Sequence, residues 1–339
     1  MPSVCRPTTA ADEERLIDFL IRVFAADPEA PFLAPSLLRW KYWEPRADWP
    51  GPRSFVLERD GRIAAHAGIW PVTVKTGAKS ERGVHMIDWA SDPQAPGSGV
   101  ALLQRLTKSY DFVYAVGGSD MTQSILPKFG FRNVAEALTW ARPIRPWRQM
   151  LQHQSKDWRL PLRLARNIWW SAAPPRVIEP GWAAVEPDAG GAEGLAVLAS
   201  ERDESFFRYL RQCPAARCLT FDIVNKGRKA GFFALSVLRE QTRLAGVWLE
   251  RPSSENWRTA FHLAQGAALK YTGTSELVAR CATQASAAAA GQAGMRLRAR
   301  TPVFLFRKDF GSGALPLQFH LCDDYDALLL TGRRAGFLT

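Results

Sequence analysis

Gln94-Ala95-Pro96-Gly97-Ser98-Gly99 lies between a predicted strand over 84–90 and a predicted helix beginning near Val100. Its two glycines let the backbone turn tightly and let a ligand approach with no Cβ in the way. The helix that follows presents unpaired N–H groups and the positive end of its dipole, a combination that suits phosphate. The hexapeptide therefore reads as a loop that cradles a pyrophosphate. It is not the dinucleotide fingerprint, because Val100 to Leu102 supply no third glycine. It is not a Walker loop either, because no Gly-Lys-Ser/Thr follows.

Outward from this loop, the spacing of Leu16, Ile17, Leu20 and Phe24 predicts an amphipathic helix over Glu13–Phe24. Residues 31–52 are rich in proline and aromatic residues and contain Arg39-Trp40-Lys41-Tyr42-Trp43. Strands are predicted over 54–58 and 63–74 around the turn Asp60-Gly61. A helix over 100–110 sets Leu102, Leu103, Leu106 and Tyr110 on one face. A short apolar strand follows over Phe112–Val116. Next come a helix over 120–128, entered through Gly117-Gly118-Ser119, and a strand over 131–140.

This element order, the spacing Gln94-x-x-Gly97-x-Gly99 and the run Lys128-Phe129-Gly130-Phe131 together resemble the GNAT superfamily of acyl-CoA-dependent N-acyltransferases. There the glycine loop holds the cofactor's pyrophosphate, and Lys-x-Gly-Phe closes the fourth helix. The second half repeats the scheme: a helix over 192–211, strands over 218–224, 230–238 and 243–250, and a helix over 255–271. A strand over 276–279, an Ala-rich helix over 282–293 and a strand over 302–306 complete it. In place of the glycine loop stands Arg251-Pro252-Ser253-Ser254-Glu255-Asn256, which lacks glycine, adds a carboxylate and should disfavour phosphate. The expected fold is an α/β class with an α+β mixed sheet, built as two tandem GNAT-like domains. The expected boundaries are an acyl-CoA-binding domain over 1–142, a basic Trp-rich linker over 143–182 and a degenerate domain over 183–339.

The resemblance implies a site. Gly97, Ser98 and Gly99 would give backbone N–H groups to the pyrophosphate of acetyl-CoA or another acyl-CoA, with Gln94 in support. The strand before the loop would offer a backbone N–H near Trp89 and Ala90 to the thioester carbonyl. Asp88 is placed to take the amine's proton, with His66 and His85 as further candidates. His85, three residues upstream of Asp88, should face the opposite side of a regular strand. Two readings of Trp40, Tyr42 and Trp43 stay open: a wall of the acceptor site, or an aromatic cluster capping the core. Many members of the superfamily carry a Tyr two residues before the Lys as acid to the leaving thiolate; this chain has Leu126, and its second half Ala290. Ser119, Tyr114 or water would have to serve instead. The implied activity is acyl transfer to a small amine or amino sugar, in envelope or polysaccharide metabolism by analogy with tandem relatives. The alternative is a non-catalytic acyl-CoA binder, or a basic membrane- or nucleic-acid-binding module.

Bulk properties fit this reading. A chain of 339 residues, 47% hydrophobic and 23% charged, suits two globular domains. Asp12, Glu13 and Glu14 stand where a secretory signal would need basic and apolar residues, so the chain is expected in the cytoplasm. Its five cysteines, Cys5, Cys213, Cys218, Cys281 and Cys322, have no metal-site spacing, and no metal is expected. The net charge of +11 favours acidic partners; nucleic acid is not expected among them. Between residues 142 and 170 stand Arg142, Arg145, Arg148, Lys156, Arg159, Arg163 and Arg166 against one acid, Asp157, with Trp147, Trp158, Trp169 and Trp170 among them. Two readings of this segment stay open. One is contact with an anionic membrane through Arg159, Arg163 and Arg166; the other is a helix packed across both halves with a solvated basic face.

Overall fold

The computed structural model describes residues 3–76, 79–152, 157–186, 204–308, 328 and 337–339. The first half comprises β1 (Val4–Pro7), α1 (Glu13–Phe24), α2 (Pro35–Tyr42), β2 (Ser54–Arg59), β3 (Arg62–Thr76) and β4 (Lys79–Ser91). It continues with α3 (Ser98–Ser109), β5 (Phe112–Val116), α4 (Asp120–Ile125) and β6 (Arg132–Pro143). Two helices follow, α5 (Pro146–Gln152) and α6 (Leu160–Ala172). The second half contains β7 (Trp182–Val185), α7 (Glu204–Arg211), β8 (Arg217–Asn225), β9 (Arg228–Leu238) and β10 (Gln241–Leu249). It ends with α8 (Ser254–Tyr271), β11 (Glu276–Cys281), α9 (Gln284–Gln292) and β12 (Arg296–Arg307). The short edge strands β1 and β7 and the helices α2 and α5 are additions to the sequence reading; α2 lies inside the stretch read only as rich in proline and aromatic residues. Of the helix expected over 192–211, the part before Glu204 lies outside the described residues.

Among the described residues all strands join one sheet, in the order β1-β2-β3-β4-β5-β12-β6-β11-β10-β9-β8-β7. Pairing is antiparallel except at β4·β5 and β10·β11, which are parallel. The centre of the sheet exchanges strands. β12, from the end of the second half, inserts between β5 and β6 of the first. β6, from the end of the first half, inserts between β12 and β11 of the second. Each half thus covers the other's open edge, where buried N–H and C=O groups would otherwise lack partners.

The helices pack on both faces. On one face of the first half, Leu102, Leu103 and Leu106 of α3 are buried against Ala67, Ile69, Val84 and Met86. On the other, Leu16, Phe19 and Leu20 of α1 pack with Leu38 and Tyr42 of α2 over Val56 and Ile63. The two halves meet through α2 and α7, which carry matching sequences: Ser36-Leu37-Leu38-Arg39-Trp40 and Ser205-Phe206-Phe207-Arg208-Tyr209. The last residue of each is bonded to the other. Trp40 Nε1 donates to the Tyr209 carbonyl at 3.1 Å, and the Tyr209 hydroxyl donates to the Trp40 carbonyl at 2.6 Å. Their rings stack at 4.7 Å and 10°. Trp40 is 0% exposed, so it serves the junction of the halves and not the wall of an acceptor site.

Two of the linker arginines also turn inward. Arg142 is 2% exposed and donates to Gln265 Oε1 at 2.9 Å, to the carbonyls of Ser171 and Pro174 at 2.9 Å each, and to the Ala293 carbonyl. Burial, with Arg176 and Arg296 nearby, lowers its pKa to about 10. Arg145 donates to the carbonyls of Thr274 and Leu269. These residues fasten the α5–α6 segment to the second half.

The strand exchange predicts that residues 1–142 do not fold alone, because β5 then lacks β12. Expressed separately, this piece should show no cooperative thermal transition by circular dichroism, whereas the whole chain should. A sharp melt of the isolated piece would contradict the topology.

Candidate functional site

β4 and β5 are parallel neighbours for only three rungs, Gly83↔Phe112, Val84↔Val113 and His85↔Tyr114. Beyond that point β5 stays beside β12 through Ala115 and Val116, and β4 runs on to Ser91 beside β3 alone. The two strands therefore diverge, and the β5-facing backbone edge of β4 from Met86 onward has no strand partner among the described residues. This opening is the wedge of the sheet, and the Gln94–Gly99 loop stands at the end of β4.

Side chains shape that loop from its start. Asp92 is paired with Arg22 of α1, and its Oδ1 accepts from the Gln94 N–H at 2.9 Å. Its carbonyl accepts from the Ala95 N–H at 2.9 Å. The hydrogen bond from Arg22, then that from Gln94, holds the Asp92 carboxyl below the usual range. Gly97 caps α3 at φ 81°, a left-handed conformation that favours glycine. The bonds closing the turn are donated by Ser98 to Ala95 and by Ala101 to Gly97; the N–H groups of Gly97, Gly99 and Val100 donate none of them, the last two being first-turn groups with no intrahelical acceptor. The Ser98 hydroxyl is buried with no partner, and a Cβ at Gly97 would meet nothing within 4 Å. Open space beside uncommitted donors at a helix N-terminus fits a pyrophosphate. Trp89 Nε1 donates to the Gly99 carbonyl at 3.0 Å, which ties the end of β4 to the start of α3.

A bulge sits beside the wedge. The register of β3 against β4 shifts between His66↔Ala90 and Gly68↔Ile87, and Asp88 takes φ 48°, a left-handed value that Asp tolerates better than most residues. The irregularity corrects one expectation. Asp88 reaches α2, and His85 stacks at 4.8 Å on Tyr114, whose cluster lies across the sheet from α3. Asp88 and His85 therefore share a face. The rule of alternation fails because the extra residue shifts the pleat by one.

His66 pins the bulge. It is 0% exposed; its Nδ1 lies 2.9 Å from the Asp88 carbonyl and its Nε2 3.0 Å from Ser54 Oγ. A carbonyl can only accept, so Nδ1 carries the proton and Nε2 accepts from Ser54. Asp88 Oδ2 accepts from Lys41 Nζ at 2.6 Å and from the Tyr42 hydroxyl at 2.5 Å. Lys41 is 0% exposed, whereas the Asp88 side chain keeps 17% of its surface. Burial pushes the Asp88 carboxyl up, but Lys41's charge and the bonds from Lys41 and Tyr42 outweigh this, leaving it below its ordinary value. Gly68 makes room for Tyr42: a Cβ there would lie 2.7 Å from the ring. Trp43 is farther off, its Nε1 donating to Thr8 Oγ1 at 2.9 Å.

The wedge, the loop, Asp88, His66 and Tyr42 thus come together. Sequence reasoning missed Lys41 as the partner of Asp88, although it named the run containing it. Leu126 is 0% exposed in the core under α3. Ser119 caps α4, its Oγ accepting from the Thr122 N–H at 3.2 Å.

The second half has the same skeleton without these groups. β10 and β11 are also parallel for three rungs, ending at Arg243↔Val278. Three residues past its last parallel rung, β4 has Asp88; at the same distance β10 has Gly246. At the start of α8, Ser253 Oγ accepts from the Asn256 N–H at 3.1 Å, and Asn256 Nδ2 donates to the Arg251 carbonyl at 2.8 Å. Side chains occupy groups that the first half leaves open.

No protein-family model matches the chain, and no curated protein sequence matches it. Solved structures do. A GCN5-related N-acetyltransferase from Sphaerobacter thermophilus is similar with a TM-score of 0.53 and 16% identity, over 90% of this chain and 95% of that one. A tandem GNAT protein from the clavulanic acid biosynthesis pathway gives 0.51 and 12%, over 90% and 98%. N-myristoyltransferase from Saccharomyces cerevisiae, solved with bound myristoyl-CoA and inhibitors, gives 0.55 and 12%, over 90% and 81%. The chain has the GNAT-superfamily fold in a tandem arrangement.

Burial lowers the His66 pKa to about 4, well under the unfolded value of about 6.5. The stability tied to neutral His66 is fully present above that unfolded value and is lost as pH falls through the folded one. Its share of the loss should approach about 3 kcal/mol. Urea unfolding of the wild type and His66→Gln at pH 7 and pH 4 checks this. The variant should lose less stability between those values; an equal loss would dismiss the assignment.

Proposed function

We propose that this chain transfers an acyl group from an acyl-CoA to the amine of a small acceptor, amino sugars included. The observation that carries the reading is the wedge between β4 and β5, opening beyond His85↔Tyr114 next to the Gly97 turn. Acyl-CoA, when bound, supplies an activated thioester. Gly97, Ser98, Gly99 and Val100 would hold its pyrophosphate, with Gln94 at the exposed rim. The unpaired edge of β4 would lie along the thioester arm, with a backbone N–H near Trp89 or Ala90 facing the carbonyl oxygen as charge builds there.

The acceptor would enter from the α2 face, where Asp88 is reachable. Lys41 and Tyr42 both bond to Oδ2, and Oδ1 takes part in neither bond. A carboxylate held below its ordinary pKa stays charged at neutral pH, so it attracts and orients an ammonium group. After that group gives one proton to water, the free amine displaces the CoA thiolate at the thioester carbon, and Asp88 takes the second proton as the C–N bond replaces the C–S bond. His66, buried and bonded at both nitrogens, positions the bulge and does not touch the acceptor. A second reading, acyl-CoA binding without turnover, draws on Leu126, whose burial leaves no phenol at that place to protonate the departing thiolate.

Calorimetry with acetyl-CoA, CoA and a longer acyl-CoA tests the donor site. Gly97→Asn keeps a residue that tolerates positive φ and puts a side chain into the open space; CoA affinity should fall at least about tenfold with the melting temperature unchanged. Ser98→Ala should leave the unliganded protein as stable as before, because the hydroxyl has no partner to lose. Its affinity should fall about three- to tenfold, the worth of one hydrogen bond. Full affinity in both folded variants would remove the loop assignment.

For the acceptor side, Asp88→Asn should lower kcat by about a hundredfold or more, with CoA affinity within about twofold. Because Asn alone leaves buried Lys41 without its counter-charge, the pair Lys41→Met with Asp88→Asn serves as a second variant with the same expected loss. With Asp88 ionised throughout, kcat/KM should follow the acceptor amine and show no inflection from Asp88 between pH 5 and 7. Unchanged turnover in both variants would dismiss Asp88.

A further inference from the structure

Helices α5 and α6 are built inside out. The α6 residue that is buried is Asn167, 5% exposed, and on α5 it is Gln149, 1% exposed. Asn167 Nδ2 donates to Gln149 Oε1 at 3.1 Å, and Gln149 Nε2 donates to Thr339 Oγ1 at 2.9 Å. The inner contact of the pair is thus polar. Their outer surface is apolar: Trp158 is 76% exposed, Trp169 66%, Leu162 and Leu151 63% each, and Trp147 62%. On α6 the outward positions 162, 165, 169 and 172 recur at intervals of three and four, which places them on one stripe of the helix, and Trp158 stands exposed in the turn that leads into it. Trp147 and Leu151 are four apart on α5 and share a face in the same way.

Scattered exposed hydrophobics need no explanation, but an apolar face carrying three tryptophans across two packed helices and the turn before α6 does. Such side chains bury some 150–250 Å² each when covered, so together they exceed the few hundred Å² usual for the largest apolar patch of a monomer. Hydration favours the opposite arrangement, with Asn and Gln outward.

The flanks of the stripe are cationic. Arg159 lies over the Trp158 ring at 5.3 Å. Arg166 of α6 and Arg296 and Arg298 of β12 gather around Trp170 at 4.3, 5.5 and 5.9 Å. Between residues 143 and 178 the only acid is Asp157, and it is paired with Arg163 at 3.1 Å. Among the described residues no helix is long and apolar enough to cross a membrane.

We infer that the α5–α6 face docks on the surface of an anionic lipid bilayer. Its tryptophans and leucines enter the headgroup boundary, and the arginines of α6 and β12 meet lipid phosphates. Tryptophan with basic residues at the polar edge is the arrangement that suits that interface. Charge selects this occupant over a second copy of the chain, since two such faces would bring arginines together. The inference is independent of the acyl-transfer reading and stands or falls without it.

The test uses the whole chain and vesicles of phosphatidylcholine with or without about one third phosphatidylglycerol, read by co-sedimentation and tryptophan emission. Binding to the anionic vesicles should exceed that to neutral ones by about tenfold, with a blue shift, and should weaken severalfold as salt screens the surface. The triple variant Trp158→Ser, Leu162→Ser, Trp169→Ser changes only exposed positions and should keep its thermal melt while losing about tenfold in binding. Arg159→Gln with Arg166→Gln and Arg298→Gln should abolish the preference for anionic lipid. No vesicle binding by the wild type would overturn the proposal, as would full binding by the folded triple variant. So would wild-type self-association in sedimentation velocity that the triple variant abolishes, or binding of heparin or RNA without binding of vesicles.

Discussion

A parallel strand pair that stays together for three rungs and then separates leaves two backbone edges with no partner, and everything else in this molecule is arranged around that fact. β4 leaves β5 at His85↔Tyr114, and β10 leaves β11 at Arg243↔Val278. Each separation is tolerable only if the strand on the far side is held firmly. β12 holds β5, and β6 holds β11, so each half stabilises the wedge of the other. The reciprocal bonds of Trp40 and Tyr209 repeat the same exchange one layer above the sheet.

With the scaffold shared, the groups suited to the proposed acyl transfer stand beside one of the two wedges. The first half spends a left-handed aspartate, a buried lysine and a buried histidine on a bulge beside its opening. Such features cost stability and persist where surrounding structure holds them. The second half replaces the aspartate with Gly246 and caps its helix with Ser253 and Asn256. The duplicated architecture therefore reads as one site with a structural twin, and the twin's contribution is β12, α7 and the junction.

Much of this was legible in the residues. The glycine loop, α1 and β5 follow from local signals, namely turn glycines, 3.6-residue periodicity and a short apolar run. Asp88, His66 and Tyr42 stand out as candidates by their place in the chain. The bulge is not legible, because a register shift leaves no trace in alternation until the partner strand is known, and alternation alone therefore sets His85 and Asp88 on opposite faces. Strand exchange was equally hidden, since a strand such as β6 is apolar enough for either neighbour. A signal for the α2–α7 junction was present and unused: Ser36-Leu37-Leu38-Arg39-Trp40 returns as Ser205-Phe206-Phe207-Arg208-Tyr209. Charge counting overestimated the basic surface of the linker, because Arg142 and Arg145 spend their donors on buried carbonyls.

Hydrogen–deuterium exchange on the whole chain, with and without saturating acetyl-CoA, addresses the claim of one working wedge most directly. The account predicts added protection in peptides covering residues 86–101 and 112–119. It predicts none in peptides covering 244–256, where β10 meets α8. Protection confined to 244–256, or absent from both regions, would contradict it.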